Sequence, residues 1–293
     1  MLENRALRRW AGTMVVLAAL GARPAQADEN AVPPCVAPIA VALADRPGTG
    51  RTTSTGGSPC VVAPHEVVIE AGLRRQTMAS ADGRVTLASG PLTFLRVGVW
   101  NRVELGIALP AQQSRSVTGS APVDTARGQT DIVLAAKYLV LDAKNAQASI
   151  GMAYAPPTGT GEFTAGAPTY SVSGNLGLAV TPRISFATSQ AFGTAIGAGT
   201  DGLSRSYFVY APSYTLAYAL DGATTLLAQV ALVSRQGPLL PSGDRALVAL
   251  QRAVGDRLAL DVDYEVNLKP TLGAPQRAVG FGVVWIAVPR GKR

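Results

Sequence analysis

The segment LALDVDYEVN, residues 258–267, alternates apolar and polar side chains without interruption. A period of two marks a β-strand, because successive side chains leave opposite faces. Leu258, Leu260, Val262, Tyr264 and Val266 share one face; Ala259, Asp261, Asp263, Glu265 and Asn267 share the other. In a soluble sandwich the apolar face would turn inward, and in a membrane barrel it would turn outward to lipid. The pattern recurs from residue 65 onward as twelve segments: 66–74, 85–99, 103–110, 131–141, 147–155, 170–180, 183–192, 207–220, 224–234, 245–254, 258–267 and 277–287. Most approach the roughly 9 to 11 residues that a tilted strand needs to cross the hydrocarbon.

The connectors carry a second signal. Short turns (Trp100-Asn101-Arg102, DAKNA, Thr181-Pro182, Asp221-Gly222, Gly255-Asp256) alternate with longer polar stretches such as AQQSRSVTGSAPVDTARGQT and GTAIGAGTDGLSRS. Outer-membrane barrels sort their loops in this way, with short periplasmic turns, long external loops and an even strand number. A sandwich has no cause to do so, and Greek-key connections would break the up-and-down order. Aromatic residues near both sets of ends, among them Trp100, Tyr138, Tyr218 and Trp285 on one side and Tyr154, Tyr170, Phe208 and Tyr264 on the other, fit two interfacial belts. The predicted fold is therefore all-β: a transmembrane up-and-down antiparallel β-barrel of about twelve strands, both termini periplasmic.

The N-terminus predicts export. Arg5, Arg8 and Arg9 precede the mostly apolar stretch from Trp10 to Ala22, and Ala25 and Ala27 form an A-x-A site, so residues 1–27 read as a signal peptide cleaved before Asp28. The apolar stretch is too short to span a bilayer. The expected division is then 1–27 signal peptide, 28–65 periplasmic N-terminal extension and 66–293 barrel. Removing residues 1–27 takes away four arginines (5, 8, 9 and 23) and Glu3, which lowers the net charge from +7 to +4. No basic block with interleaved aromatics remains, so nucleic acid is not an expected partner. Hydrophobic residues make up 47% of the chain and charged residues 15%, against about 25% charged in a typical soluble domain. That composition suits a lipid-facing exterior.

With apolar side chains outward, the polar ones fall inside. The predicted lumen-lining charges are Glu70, Arg96, Glu104, Asp131, Lys137, Arg183, Asp261, Asp263 and Glu265. Closure of strand one on strand twelve would gather Glu70, Asp261, Asp263 and Glu265 on one wall, with Arg96, Lys137 and Arg183 further round. Two readings stay open: a transverse separation of charge that orients solutes, or ion pairs that fill a narrow barrel. Twelve strands give a backbone diameter of roughly 24 Å, which leaves room only for small solutes once side chains are added.

Cys35 and Cys60 precede the first strand and, in an exported chain, read as a disulfide. The stretch around them fits either a periplasmic extension or a plug, and the extension is expected. Two cysteines and the single histidine, His65, supply too few ligands for a metal site. His65 is also the only imidazole available as a base for a serine nucleophile, and it lies at the periplasmic end. Asp261 and Asp263 share one face and could form a carboxylate pair, yet a row of lumen charges is a much commoner origin for such neighbours than a catalytic dyad. No catalytic residue, metal or cofactor is expected. The Gly-rich stretches lack a Walker lysine and read as loops.

Residues 103–192 resemble an outer-membrane barrel family named for the meta-pathway of phenol degradation. The resemblance rests on VELGIALP (103–110), GQTDIVLAAKYLV (128–140) and ASIGMAYAPPTGTGEF (148–163), through Gly128, Asp131, Lys137, Tyr138, Pro157, Thr158 and Gly159. Thr130 stands where the family usually has a second glycine, and the chain ends in WIAVPRGKR rather than on an aromatic. The resemblance implies a bacterial outer-membrane channel for passive passage of small molecules, with hydrophobic or aromatic compounds as the implied class. The partners expected of such a barrel are outer-membrane lipid, small-molecule solutes and, during biogenesis, the barrel-assembly machinery. A closed structural or adhesion barrel, a barrel hydrolase and a soluble exported sandwich remain the rivals.

Overall fold

A computed structural model describes residues 58–80, 83–119, 124–198, 204–234, 243–255, 257–269 and 275–288. The strands are β1 (Val67–Ser80), β2 (Gly83–Trp100), β3 (Val103–Ala108), β4 (Gln112–Gly119), β5 (Asp124–Gln129), β6 (Val133–Ala143), β7 (Ala146–Ala155), β8 (Thr169–Ala179), β9 (Ile184–Ala198), β10 (Ser204–Ala219), β11 (Thr224–Val233), β12 (Gly243–Ala253), β13 (Leu258–Asn267) and β14 (Pro275–Val288). All ladders are antiparallel, and β1 pairs with both β2 and β14, which closes the sheet. Among the described residues no helix is long and apolar enough to cross a membrane; the strands do the crossing.

Fourteen segments make twelve crossings. β3 and β4 form one crossing interrupted at 109–111, and β5 and β6 form another interrupted at 130–132. Pro110 has no N–H and cannot continue the ladder. The break is stitched instead: the Ala111 amide donates to Thr130 Oγ1 at 2.9 Å and the Thr130 amide donates to Ala111 O at 3.0 Å. Below the break β2 pairs with β3, above it with β4. The long connector expected at 111–130 is thus mostly an extension of the wall. It carries little apolar alternation because above the lipid nothing selects apolar side chains, although the hydrogen-bond ladder continues. The expected strands at 66–74 and 183–192 likewise run on, to Ser80 and Ala198, and the last strand ends at Val288.

The orientation of the faces is the reverse of a soluble protein. Leu260, Val262 and Tyr264 are exposed, while Asp261, Asp263 and Glu265 are buried between them. The same holds around the circumference, with Leu105, Ile150, Met152, Val172, Leu216, Val248 and Phe281 outward. Such a surface is stable only where lipid covers it, and closure of the sheet through β1 lets the strands supply one another with the backbone partners that lipid cannot. Trp100, Tyr138, Tyr218 and Trp285 are also exposed, as are Tyr170, Phe192, Phe208 and Tyr264. At the long-loop end Phe192 stacks on Tyr210 at a centroid distance of 4.6 Å.

The interior of the barrel as the candidate functional site

One sector of the interior is built from charge. Arg96 on β2 makes a two-pronged contact with Glu104 on β3, Nε to Oε1 at 2.7 Å and Nη2 to Oε2 at 2.8 Å. Its Nη1 reaches Glu70 Oε1 on β1 at 2.8 Å. Gly106 lies opposite Arg96 and Gly98 opposite Glu104 in register; a Cβ at Gly106 would meet the Phe94 ring, and one at Gly98 would meet the backbone of Val62 and Ala63. Glu104 in turn sits opposite Lys137 on β6. Further round, Arg74 on β1 reaches Asp263 Oδ1 at 3.3 Å and Glu265 Oε1 at 3.2 Å on β13, although β14 lies between them. The intervening residue is Gly280, paired in register with both Arg74 and Asp263. Any Cβ there would collide with the Asp263 carboxylate, so only glycine lets the two charges meet across its strand. Arg245 on β12 lies 3.8 Å from Glu265 and completes the cluster.

The opposite sector is neutral. Ser149 on β7, Ser171, Ser173 and Asn175 on β8 and Ser189 on β9 are all buried. Asn175 Nδ2 donates to Ser149 Oγ at 3.3 Å and Ser173 Oγ at 3.4 Å. Gln229 on β11 donates to Thr215 Oγ1 on β10 at 3.0 Å, and Leu227, Leu247, Ala249 and Ala217 form a small apolar patch. Side chains here are short or uncharged, so this wall carries no net charge of its own.

Residues 58–64 cross the short-turn end from one sector to the other. Pro64 bridges to Gly98, the Val62 amide donates to Glu104 Oε2 at 2.8 Å, and Lys137 Nζ donates to Cys60 O at 3.1 Å. Ser149 Oγ lies 3.5 Å from Ser58 O, and Pro59 packs over Gly177, where a Cβ would stand 2.6 Å from its ring. Ser58, Cys60 and Val62 are buried. This part of the segment expected as a periplasmic extension therefore lies inside the barrel. An irregular segment with no periodicity gave no sign of that in the sequence. Residues 1–57, including the expected signal peptide and Cys35, lie outside the described residues.

The predicted charges fall into different settings. Glu70, Arg96, Glu104, Lys137, Asp261, Asp263 and Glu265 are buried within the barrel. Acids and bases bond directly, so the transverse separation of charge is replaced by interleaved pairs. Asp131 is elsewhere: it accepts hydrogen bonds from the Gly159 amide at 2.7 Å, the Ala165 amide at 2.8 Å and Thr164 Oγ1 at 2.8 Å, fastening the loop between β7 and β8. The interruption at 130–132 breaks the alternation that would have turned it inward. Thr158 Oγ1 and Thr160 Oγ1 accept from the Ile132 and Gln129 amides, both at 2.9 Å. Gly128 and Gly159 lie where a Cβ would meet Phe163 and Gln129 O at 2.5 Å. Gly128, Asp131, Thr158 and Gly159, four of the residues that carry the family resemblance, thus form one clasp at the long-loop end, while Lys137 and Tyr138 lie toward the other end. Arg183 is exposed in the turn before β9, because Thr181 Oγ1 accepts from the amides of Arg183 and Ile184 and delays the strand. His65 is exposed beside β1 with φ 64°. Among the described residues no group of three His, Cys, Asp or Glu could hold a metal ion.

Arg74, which is buried, and Arg245, which is partly buried, are interior charges that sequence reasoning missed. Arg74 shares parity with Glu70, but it stood at the assumed strand end; Arg245 stood at the start of its strand.

An antiparallel barrel of twelve crossings, apolar outside and polar within, with short turns at one end, is a bacterial outer-membrane β-barrel. The sequence matches the family described as "Putative MetA-pathway of phenol degradation" over residues 44–286, and the chain belongs to that family. Among solved structures it is similar to an outer-membrane channel from Pseudomonas putida F1, at 12% identity and a TM-score of 0.61, covering 77% of this chain and 97% of that one. The NanC porin is similar at 11% identity and a TM-score of 0.51, over 75% of this chain and 98% of that one. The translocator domain of the autotransporter NalP from Neisseria meningitidis gives 10% identity and 0.50, over 77% and 90%. At these identities the likeness is one of fold. No curated protein matches the sequence.

Proposed function

We propose that the protein is a narrow passive channel for small, mainly uncharged molecules, with hydrophobic or aromatic compounds as the favoured class. The observation that carries this reading is the neutral sector on β7–β9, where Ser149, Ser171, Ser173, Asn175 and Ser189 face an interior whose charges are already engaged with one another. A solute moving along that wall meets short hydroxyl and amide groups. In this reading Glu70, Arg96, Glu104, Lys137, Asp261, Asp263 and Glu265 line the lumen as paired charges and set its width. The protein acts without catalysis, is exported by residues 1–27 and carries a Cys35–Cys60 disulfide that ties the chain before residue 58 to the buried Cys60. Outer-membrane lipid surrounds it, and the barrel-assembly machinery inserts it. The family membership supports the aromatic class as a suggestion of its description alone.

A second reading, a barrel closed to solutes, is favoured by residues 58–64 crossing the lumen. Conductance of the refolded protein in a planar bilayer separates the two. A channel gives small discrete steps with little ion selectivity, and Lys137→Met, which removes the hydrogen bond from Lys137 to Cys60 O, enlarges them. Silence of both proteins in a bilayer shown to hold them would leave the closed barrel.

A further inference from the structure

The outward face of β14, β1 and β2 changes character abruptly at the long-loop end. Leu73 on β1 and Phe281 and Val279 on β14 are exposed apolar residues of the lipid band. The next outward positions are Arg75 and Arg277, both exposed. Thr77 lies opposite Arg277 on one side and opposite Thr86 of β2 on the other, while Arg84 lies opposite Ala79, one outward position further up. Three guanidinium groups thus surround a pair of threonine hydroxyls: Arg75 below Thr77, Arg277 beside it and Arg84 diagonally above. Arg277 Nε donates to Thr77 Oγ1 at 3.4 Å. No carboxylate among the described residues pairs with Arg75, Arg84 or Arg277. The contrast with Arg74, one residue from Arg75 and held by two acids inside, is complete.

Like charges on neighbouring strands repel, so the cluster is favourable when an anion sits among the arginines. The depth selects which anion. The site begins where the apolar band stops, the level of lipid headgroups. Guanidinium forks match phosphate oxygens bidentately, and the threonine hydroxyls can donate as well. We propose that Arg75, Arg84 and Arg277, with Thr77 and Thr86, bind the phosphate of an anionic outer-leaflet lipid headgroup at the seam where the barrel closes. Arg127, exposed on the same face of β5, extends the basic surface.

The test is retention of diphosphoryl lipid A by the refolded protein in neutral detergent at physiological salt. Binding weakens roughly fivefold for each arginine replaced by glutamine, and roughly a hundredfold in Arg75→Gln/Arg84→Gln/Arg277→Gln. A control, Arg183→Gln/Arg257→Gln, removes charge at the short-turn end and leaves binding unchanged. The single variants decide the matter where the triple variant does not fold. Equal retention of fully dephosphorylated lipid A, or binding by the variants within twofold of the native chain, would overturn the site. Competition by inorganic phosphate at equal concentration would reassign it to a soluble anion and overturn the lipid assignment.

Discussion

The two walls of the interior meet the same problem, polar groups shut away from bulk water, by opposite means. On β1, β2, β3, β12 and β13 full charges are buried and matched one against another. On β7, β8 and β9 the polarity comes in small neutral units that need only a neighbouring hydroxyl. The first arrangement is rigid, because each charge is held by partners from other strands and none can be removed alone. The second is forgiving, because losing one hydroxyl strands little. The first holds the barrel's shape, and the second is the wall along which the channel proposed above would pass a molecule.

That contrast can be broken most directly at Arg96, whose removal leaves Glu70 and Glu104 buried with their main partner gone. Arg96→Met should cost about 3–5 kcal/mol in urea unfolding of the refolded barrel, and adding Glu70→Gln and Glu104→Gln should restore much of it. If Arg96→Met alone costs under ~1 kcal/mol, the two walls are energetically alike. On the neutral wall, Asn175→Ala removes hydrogen bonds to Ser149 and Ser173. Its expected cost in the same experiment is about 1 kcal/mol, and a cost matching that of Arg96→Met would erase the distinction.

The smallest effect belongs to a carboxylate on neither wall. Asp221, in the short turn before β11, accepts hydrogen bonds from the Ala223 and Thr224 amides, both at 2.7 Å. The Ala223 amide first, and Thr224 after it, hold its carboxyl below the usual Asp value. Its contribution is therefore fully present above the unfolded value and is lost as pH falls through the lowered one. The protection factors of the Ala223 and Thr224 amides, corrected for the intrinsic pH dependence of exchange, should stay flat down to about pH 4 and fall below it, while those of amides facing Arg96 hold. Opening of both sets together would show that the buried pairs titrate with the rim.

The barrel itself was legible in the sequence because lipid imposes a period of two on everything it touches. LALDVDYEVN reads correctly from end to end, and the alternation of short and long connectors fixes the order of crossings. Legibility ends where lipid ends. QQSRSVTG forms β4 without an apolar face because its strand pairs above the membrane, where no solvent distinguishes its two sides. The pairing of Arg74 with Asp263 was hidden for a different reason. It depends on a register between residues 189 positions apart and on the missing side chain of Gly280. Residues 58–64 have no repeat at all, and partners on distant strands, Glu104, Lys137 and Ser149 among them, place them.

The exchange of partners along β2 has a consequence for how this barrel can vary. Its circumference is fixed by the lower crossings, where β3 and β6 are the members. The β4–β5 hairpin stands above them, joined through β2 and the clasp around Asp131. Residues can therefore be inserted or deleted between Gly119 and Asp124 without altering strand number, shear or pore diameter. That tip is a natural place to graft a foreign peptide for surface display, and a place where related sequences can diverge in length at no cost to the conduit beneath.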